Sequence, residues 1–270
     1  MTRPADPLTE RTPRVVSAAK LSRAAERRKQ RRFLAEGANA VAEALAAGVV
    51  RELFYTDTAA TRTHELVGSA IGAGVPAAQI TDRAAKSLAD TVTPPGLVAV
   101  CDLVDVPLAQ GLGDVPRLVA VPVAVGEPGN AGTIIRIADA MGADAVVLAG
   151  ESVDPHNGKC VRSTAGSLFH LPVVRERDID GVLAALRERQ VRVVATAADG
   201  EVDLDDADDL LAGPTAWLFG NEAHGLDPAL AAAADVRVRI PIHGRAESLN
   251  LATAAAICLH ASARMQRRGT

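Results

Sequence analysis

Residues 118–136 read LVAVPVAVGEPGNAGTIIR, an apolar run followed by a glycine-rich turn and a second apolar segment. Residues 118–125 are nearly all apolar, which is typical of a short strand buried on both faces of a parallel sheet. The apolar spacing after the turn predicts a helix over 131–141. The stretch therefore predicts a strand, a loop and a helix of an α/β domain.

The same alternation continues toward the C-terminus. Strands are predicted over 145–148, 191–197, 216–219 and 236–240, and helices over 179–189 and 249–265. This order predicts a mostly parallel sheet with helices on its faces. Ligands bind such sheets beyond the carboxyl ends of the strands. The loops to inspect are therefore 126–132, 150–167, 220–226 and 241–250.

The N-terminal half predicts a smaller α/β domain. Its expected strands are 31–37, 49–56 and 96–103, and its expected helices are 38–47, 59–73 and 83–88. Residues 102–116 are rich in Asp, Pro and Gly, which favours a linker, and we place it over 108–117. The predicted organisation is a basic arm over 1–30, a domain over 31–107, the linker, and a second domain over 118–270.

Composition excludes several classes of protein. The 270 residues are 48% hydrophobic and 23% charged, an ordinary globular mixture. No apolar run follows a charged start in residues 1–32, so we expect no secretory signal, a cytoplasmic location and no membrane partner. Cys101, Cys160 and Cys258 lack C-x-x-C spacing, and the histidines are scattered, so we expect neither disulfides nor a metal site.

The charge distribution indicates a nucleic-acid surface although the net charge is only −4. Residues 1–32 contain ten basic and three acidic side chains. Such an excess of positive charge can neutralise phosphates, and it can also belong to a solvated tail. The first alternative predicts RNA contacts for four arginines of this region: Arg27, Arg28, Arg31 and Arg32.

The loop 126–132 allows two interpretations. It superficially matches a dinucleotide-binding turn with Glu151 as the ribose-binding acid, but its spacing is G-x-x-G-x-x-G instead of G-x-G-x-x-G. It also fits a plain glycine turn in which Asn130 caps the helix. Neither interpretation explains Arg136, which lies nearly two turns into the helix and needs a partner such as a phosphate or carboxylate.

The other three loops carry polar residues that fit a ligand. Lys159 and Arg162 are candidates for contacts with RNA phosphates, although a solvated loop explains them equally well. Glu222 has no basic neighbour in sequence, so a polar ligand is a reasonable partner. Ser248 and Asn250 each precede the last helix, where capping is the simpler role.

Together the four loops resemble the signature motifs of the SpoU, or TrmH-like, branch of the SPOUT methyltransferases. The matching residues are Asn130-x-Gly132-x-x-x-Arg136, Arg162-Ser163 to Gly166, Gly220-Asn221-Glu222-Ala223-His224-Gly225, and Ile240-Pro241-Ile242 with Ser248-Leu249-Asn250. Two positions depart from the family pattern, since Ala223 replaces a usual glycine and Ile242 a usual methionine. Ala223 would be strained if the family glycine has positive φ.

The resemblance implies an α/β catalytic domain with a trefoil-knotted, mostly parallel SPOUT-like sheet over residues 118–270. Residues 31–107 resemble the ribosomal-protein-like substrate-binding domain that often precedes it. The family transfers a methyl group from S-adenosylmethionine to a ribose 2′-hydroxyl of structured RNA, here more readily ribosomal (23S) RNA than transfer RNA. It also forms homodimers whose active site lies at the interface.

The resemblance assigns roles to individual residues. Arg136 would act on the hydroxyl as a base or as an orienter; because a guanidinium is almost wholly protonated at neutral pH, we expect it to anchor a phosphate and polarise the hydroxyl. Asn130, Glu222, Ser248 and Asn250 would hold its geometry. The cofactor would be bound, largely by backbone groups, at Ala197, Leu218, Gly220, Asn221, Gly225, Ile240, Ile242, Leu249 and Asn250. Two rivals are an NAD-dependent oxidoreductase built on loop 126–132 and a non-catalytic RNA-binding module.

Overall fold

The structure is a computed structural model that describes residues 6–268. Its strands, in chain order, are β1 (Arg32–Glu36), β2 (Val50–Tyr55), β3 (Ala77–Gln79), β4 (Leu97–Asp102), β5 (Leu118–Pro122), β6 (Ala145–Ala149), β7 (Val173–Glu176), β8 (Arg192–Thr196), β9 (Val202–Asp203), β10 (Thr215–Phe219) and β11 (Val236–Arg239).

The helices in the same residues begin with α1 (Pro13–Ala19), α2 (Ala24–Gln30), α3 (Ala38–Ala46), α4 (Asp57–Arg62), α5 (His64–Gly72) and α6 (Asp82–Leu88). They continue with α7 (Leu108–Leu112), α8 (Pro128–Met141), α9 (Gly158–Thr164), α10 (Ile179–Glu188), α11 (Asp208–Leu211), α12 (Pro228–Ala233) and α13 (Leu251–Arg268).

The described chain divides into two units. The first unit contains residues 6–104 and His156–Phe169, and the second contains Asp105–Pro155 and residues 170–268. Residues 108–117, which were predicted to be a linker, lie in the second unit and include α7. The linker prediction was wrong because Leu112 is buried and packs in the core of that unit.

The first unit is a four-stranded sheet with the order β1-β4-β2-β3. Strand β4 is antiparallel to both of its neighbours, and β2 and β3 are parallel. Helices α1 and α6 pack together, and their buried residues share one core cluster with Phe54 of β2 and Val98 of β4. The mixed α/β domain predicted for this half is present.

The predicted basic arm is not a tail over its described part, because residues 13–30 form α1, a 3₁₀ turn and α2. Val15, Ala18 and Leu21 are buried in the core of the first unit. Their spacing of three residues is the apolar face of a helical segment, which the surrounding arginines conceal in the sequence. Arg3 lies outside the described residues.

Strand β1 also holds a segment that comes from much later in the chain. The ring of Phe33 lies 4.8 Å from that of His156 and 6.1 Å from that of Phe169, measured between centroids. Glu36, whose side chain is only 6% exposed, pairs with Arg162 at 3.2 Å. These contacts explain why His156–Phe169 folds with the first unit, whereas the sequence pattern predicts it in the second domain.

The second unit is a seven-stranded sheet with the order β7-β6-β5-β10-β8-β11-β9. All of its neighbouring strands pair in parallel, which confirms the predicted parallel sheet. Strands β5, β6 and β10 are buried over their whole length, as expected for central strands covered on both faces. Helix α13 packs against α8, β5 and β10. The trefoil knot stays a prediction.

No helix among the described residues is long and apolar enough to cross a bilayer.

Candidate active site

The loop after β5 is held by a carboxylate from another part of the chain. Glu222 accepts hydrogen bonds from the backbone N–H groups of Gly126 (3.3 Å) and Glu127 (3.2 Å). A dinucleotide-binding turn would offer such N–H groups to a pyrophosphate. Glu151, the candidate ribose-binding acid, instead pairs with Arg177 at 3.2 Å. The geometry therefore does not support the dinucleotide-binding interpretation.

Helix α8 begins two residues earlier than Asn130, so the predicted cap was wrong. Its cap is Glu127, whose carboxylate accepts from Gly129 N–H at 3.0 Å. Pro128 occupies the first helical position, where the helix needs no backbone N–H donor. Asn130 consequently lies inside the first turn. Its side chain is available for contacts outside the helix.

Three side chains from three separate parts of the second unit form one hydrogen-bonded chain. The amide of Asn250 donates to Oδ1 of Asn130 at 3.1 Å, and the amide of Asn130 donates to Oε1 of Glu222 at 3.0 Å. Asn250 also caps α13 by accepting from Ala252 N–H at 2.9 Å, so the predicted cap is confirmed. The structure thus brings together three of the five predicted catalytic residues.

The surroundings of Glu222 lower the pKa of its carboxyl group and so favour the ionised form. Partial burial acts to raise its pKa, but the amide of Asn130 and the backbone N–H groups of Gly126, Glu127 and Glu222 itself act more strongly in the opposite direction and lower it. The carboxylate is therefore charged at neutral pH, and it serves as an acceptor that fixes the loop.

The loop after β10 is a tight turn that needs glycine at two positions. Asn221 and Gly225 exchange backbone hydrogen bonds of 2.9 Å, and Gly225 has a φ of +69°. A Cβ on Gly220 would lie 2.1 Å from the carbonyl carbon of Gly225, so only glycine fits there. Ala223 is not among the residues with positive φ, so its replacement of the family glycine causes no strain.

Asn221 connects this turn to the end of β5. Its amide donates to the carbonyl of Ala124 at 2.7 Å, and its oxygen accepts from Ala223 N–H at 2.8 Å. Ala124 itself has a φ of +50°, an unfavourable conformation for a residue with a Cβ. The side chain of Asn221 thus holds a strained turn beside the site.

Two adjoining clefts border these loops. The first cleft, of about 870 Å³, is lined by the hydrogen-bonded chain and by Gly220, Asn221 and Gly225. The second cleft, of about 600 Å³, is lined by Ala197, Ile240 and Ile242 among others. Thr196, Ser248, Leu249 and Ala254 line both clefts, so the two are continuous.

Eight of the nine predicted cofactor residues line one cleft or the other, and Leu218 lines neither. Leu218 is fully buried, and only its carbonyl is placed near the clefts, where it accepts from the Thr196 hydroxyl at 3.0 Å. Sequence reasoning missed Thr196. Its position as the last residue of β8, at the carboxyl edge of the sheet, was the available signal.

Arg136 is not part of the hydrogen-bonded chain. It is exposed on α8, and within residues 6–268 the structure shows no hydrogen bond or ion pair that involves its guanidinium. Ser248 is also exposed, in the loop shared by the two clefts. The partner that the sequence pattern requires for Arg136 is therefore not found among residues 6–268.

Two of the predicted RNA contacts have structural roles. Arg27 is only 3% exposed and donates to the carbonyls of Leu21 and Ser22 at 3.0 and 2.9 Å. Arg162 is committed to the buried carboxylate of Glu36. The prediction for Arg27 was wrong because the sequence does not show which arginines point inward. An RNA contact of Arg162, whose side chain is 29% exposed, stays a prediction.

Four of the predicted RNA contacts remain exposed, namely Arg28, Arg31, Arg32 and Lys159. Arg32 lies 3.9 Å from the carboxylate of Asp102. Among the described residues, no group of three or more His, Cys, Asp and Glu side chains has the arrangement of a metal site.

Comparison with known proteins identifies the family of both parts of the chain. Residues 117–260 match the SpoU rRNA Methylase family, and residues 12–99 match the MRM3-like substrate binding domain. The chain is 38% identical over 242 residues to the 23S rRNA (guanosine(2553)-2′-O)-methyltransferase RlmP of Bacillus subtilis, covering 89% of this chain and 92% of that protein.

Solved structures agree with the sequence comparison. The SpoU methyltransferase AviRb of Streptomyces viridochromogenes, in complex with AdoMet, superposes with a TM-score of 0.85 at 30% identity, over 96% of this chain and 100% of that one. The AdoMet-bound rRNA methyltransferase of Sinorhizobium meliloti gives a TM-score of 0.82 at 32% identity, over 94% and 95% of the two chains. The chain belongs to the SpoU rRNA methylase family.

Proposed function

We propose that this protein transfers a methyl group from S-adenosylmethionine to a ribose 2′-hydroxyl of ribosomal RNA, and specifically of 23S rRNA. The observation that carries the proposal is the hydrogen-bonded chain of Asn250, Asn130 and Glu222 beside two continuous clefts. The RlmP relative is named as a 23S rRNA 2′-O-methyltransferase and matches over nearly the whole chain.

The clefts fit S-adenosylmethionine. They meet at Thr196, Ser248, Leu249 and Ala254, which allows a bent ligand to occupy both. Apolar side chains such as Ile240 and Ile242 suit an adenine ring, while the glycine turn exposes backbone groups for hydrogen bonds. The bound cofactor supplies an electrophilic methyl group on a sulfonium.

The residues of the site would act mainly by positioning. Methyl transfer needs a nucleophile aligned opposite the leaving sulfur, so fixed geometry can supply much of the rate. Glu222 fixes the loop after β5 and orients Asn130, and Asn250 orients Asn130 from the other side. We assign these three residues to shaping the first cleft, and Ser248 to its rim.

Arg136 would act across a homodimer interface. A free guanidinium is almost wholly protonated at neutral pH, so its role is to anchor a phosphate and polarise the 2′-hydroxyl and not to serve as a simple base. Because Arg136 is exposed and has no partner within residues 6–268, we propose that it completes the site of a second protomer. Ile257 on α13, 38% exposed, is a candidate contact of the same interface.

Mixing two variants, each defective in a different part of the site, tests the dimer. Arg136→Ala should abolish turnover and spare cofactor affinity, and Asn130→Ala should lower turnover through a different part of the site. If Arg136 acts across the interface, heterodimers of the two variants contain one intact site and regain activity. Mixtures that stay inactive despite proven subunit exchange would contradict the assignment.

A basic patch in the first unit is the proposed RNA surface. It consists of five exposed residues on and around α2: Lys20, Arg23, Arg28, Lys29 and Arg31. The hydrogen bond from Gln30 is the main cause that lowers the pKa of Glu26, and the charges of Lys29, Lys20 and Arg23 lower it further. The five basic side chains give this patch a local excess of positive charge, which suits phosphate groups.

Salt dependence of binding tests the patch. Deletion of residues 1–30 is unsuitable because it would remove the buried Val15, Ala18 and Leu21. Replacing Arg23, Arg28 and Lys29 together by Gln should instead reduce the slope of log affinity against log salt by up to about 2 to 3, if each contacts one phosphate. An unchanged slope would assign RNA binding to another surface.

The primary test is calorimetric titration of S-adenosylmethionine and NADH, followed by methylation of 23S rRNA and of transfer RNA. Saturable binding of the first ligand alone, with a 2′-O-methylated nucleotide found by mass spectrometry in 23S rRNA, is the expected result. NADH binding alone would restore the oxidoreductase interpretation. RNA binding without cofactor binding would indicate a non-catalytic module, and product in transfer RNA would correct the substrate. A ribosomal substrate agrees with the cytoplasmic location, which stays a prediction.

A further inference from the structure

An acidic segment, residues 199–203, lies beside β11, and its last residue, Asp203, lines the second cleft. Strand β9 pairs in parallel with β11, so that Val202 lies opposite Val238 and Asp203 opposite Arg239. The turn before β9 packs closely on β11. A Cβ on Gly200 would lie only 2.7 Å from the backbone nitrogen of Arg239. Residues 199–203 therefore follow the edge of β11 to its end.

Two ion-pair rungs join this segment to β11. Arg239 binds Asp203 in a bidentate manner through the Nε–Nη2 edge of its guanidinium, with Nε–Oδ1 and Nη2–Oδ2 distances of 2.6 Å, and its Nη1 donates to the carbonyl of Gly200 at 3.1 Å. Arg237 binds Glu201 with an Nε–Oε2 distance of 2.9 Å. Residues two apart on a strand share a face, so the rungs lie side by side.

Only the Asp203–Arg239 pair borders the second cleft. Asp203 and Arg239 line it, while Arg237 and Glu201 do not. The Asp203 side chain is 28% exposed and that of Arg239 44% exposed, and bidentate geometry makes this pair more specific than an ordinary surface contact. The hydrogen bond and the charge of Asp203 raise the pKa of Arg239 above its usual value.

Arg239 is also the last residue before the cofactor-binding segment Ile240, Pro241 and Ile242. The loop that follows is open to solvent, since residues 242–250 are all exposed. We propose that the Asp203–Arg239 ion pair positions the cofactor, by fixing the end of β11 and thereby the segment that lines the second cleft. The inference rests on the proposed function, since it deepens the assignment of the cofactor site.

The expected signature is a loss of cofactor affinity that exceeds the loss of turnover. Asp203→Asn keeps the size of the side chain and removes its charge, so the fold should be retained, as checked by thermal unfolding. Calorimetric Kd values for S-adenosylmethionine and for S-adenosylhomocysteine should rise about five- to tenfold, and KM should rise with them. The value of kcat should change less, because Asp203 does not border the first cleft.

The neighbouring rung provides the matched control. Glu201→Gln removes the corresponding charge one rung away from the cleft, and its Kd should equal that of the wild type. Exchange of the charges in Asp203→Arg with Arg239→Asp should recover part of the affinity that each single change removes. An unchanged Kd in Asp203→Asn, or an equal rise of the Kd in Glu201→Gln, would overturn this inference and leave the proposed function standing. A wild-type protein that binds no S-adenosylmethionine would overturn the proposed function as well.

Discussion

Replacement of Glu222 by glutamine would show whether the hydrogen-bonded chain determines the rate of methyl transfer. The carboxylate accepts from three donors, namely the Asn130 amide and the N–H groups of Gly126 and Glu127, at 3.0 to 3.3 Å. Glutamine has nearly the same shape, but it has one acceptor oxygen and no charge. Its NH₂ group must also face one of the donors.

The size of the effect follows from these contacts. A hydrogen bond to a charged group is worth about 1 kcal/mol more than one between neutral groups, and exposure of this site reduces that difference. We therefore expect three weakened bonds to raise the activation free energy of methyl transfer by about 1 to 2 kcal/mol, because the site is held less firmly in its reactive geometry. This change corresponds to a roughly 5- to 30-fold decrease in kcat. The Tm should fall by only a few degrees.

Initial rates with radiolabelled S-adenosylmethionine, together with calorimetric Kd values, measure the effect. Glu188→Gln, the same substitution at an exposed position of α10, should match the wild type. Glu222→Gln and Asn130→Ala affect the same hydrogen bond, which the first weakens and the second removes, so their combined effect should be smaller than the sum. A wild-type kcat in Glu222→Gln, or a cofactor Kd that rises as much as kcat falls, would refute the positioning role.

Three other outcomes follow from single contacts. Gly220→Ala should abolish cofactor binding, because its Cβ would lie 2.1 Å from a backbone carbon, whereas Gly244→Ala, with no atom within 4 Å of its Cβ, should bind normally in the same calorimetric titration; equal affinities would contradict the close approach. Ser262→Ala leaves the buried indole N–H of Trp217 without its 2.8 Å acceptor, and should lower the free energy of unfolding in urea by about 1 to 3 kcal/mol without a change in kcat. Because the folded-state pKa of Glu222 is lowered, its contribution to stability is complete above its ordinary pKa of 4.5 and is lost as the pH falls through the lowered value; the unfolding free energies of wild type and Glu222→Gln should therefore converge in acid, and a constant difference would be inconsistent with the lowered pKa.

The sequence predicts the second unit well because its signals are local. Apolar strands such as 118–125 and glycines at strand ends are visible without any partner, and the order of the loops predicts that they meet at one edge of the sheet. Strand β7 was missed because Val173 and Val174 are its only apolar residues. Two valines are too short a run to indicate a strand.

Other errors arose where a distant partner determines the role of a residue. Arg27 resembles an exposed phosphate ligand in sequence, yet it is buried and donates to the carbonyls of Leu21 and Ser22. The sequence likewise does not show that Arg162 pairs with Glu36, 126 residues away. Asn130 was predicted to cap α8, but Glu127 does so. A charge or a cap is visible in sequence, whereas its partner is fixed only by tertiary structure.

The path of the chain between the two units limits how this protein can recombine with its relatives. The chain passes from the first unit to the second after Val104, returns at His156 and leaves again after Phe169. An exchange of domains at a single junction near residue 105 would give Phe33 and Glu36 foreign partners in place of Phe169 and Arg162. A functional chimera should therefore require two grafted pieces, and the substrate-binding half should be inherited together with a short piece of the methylase sequence.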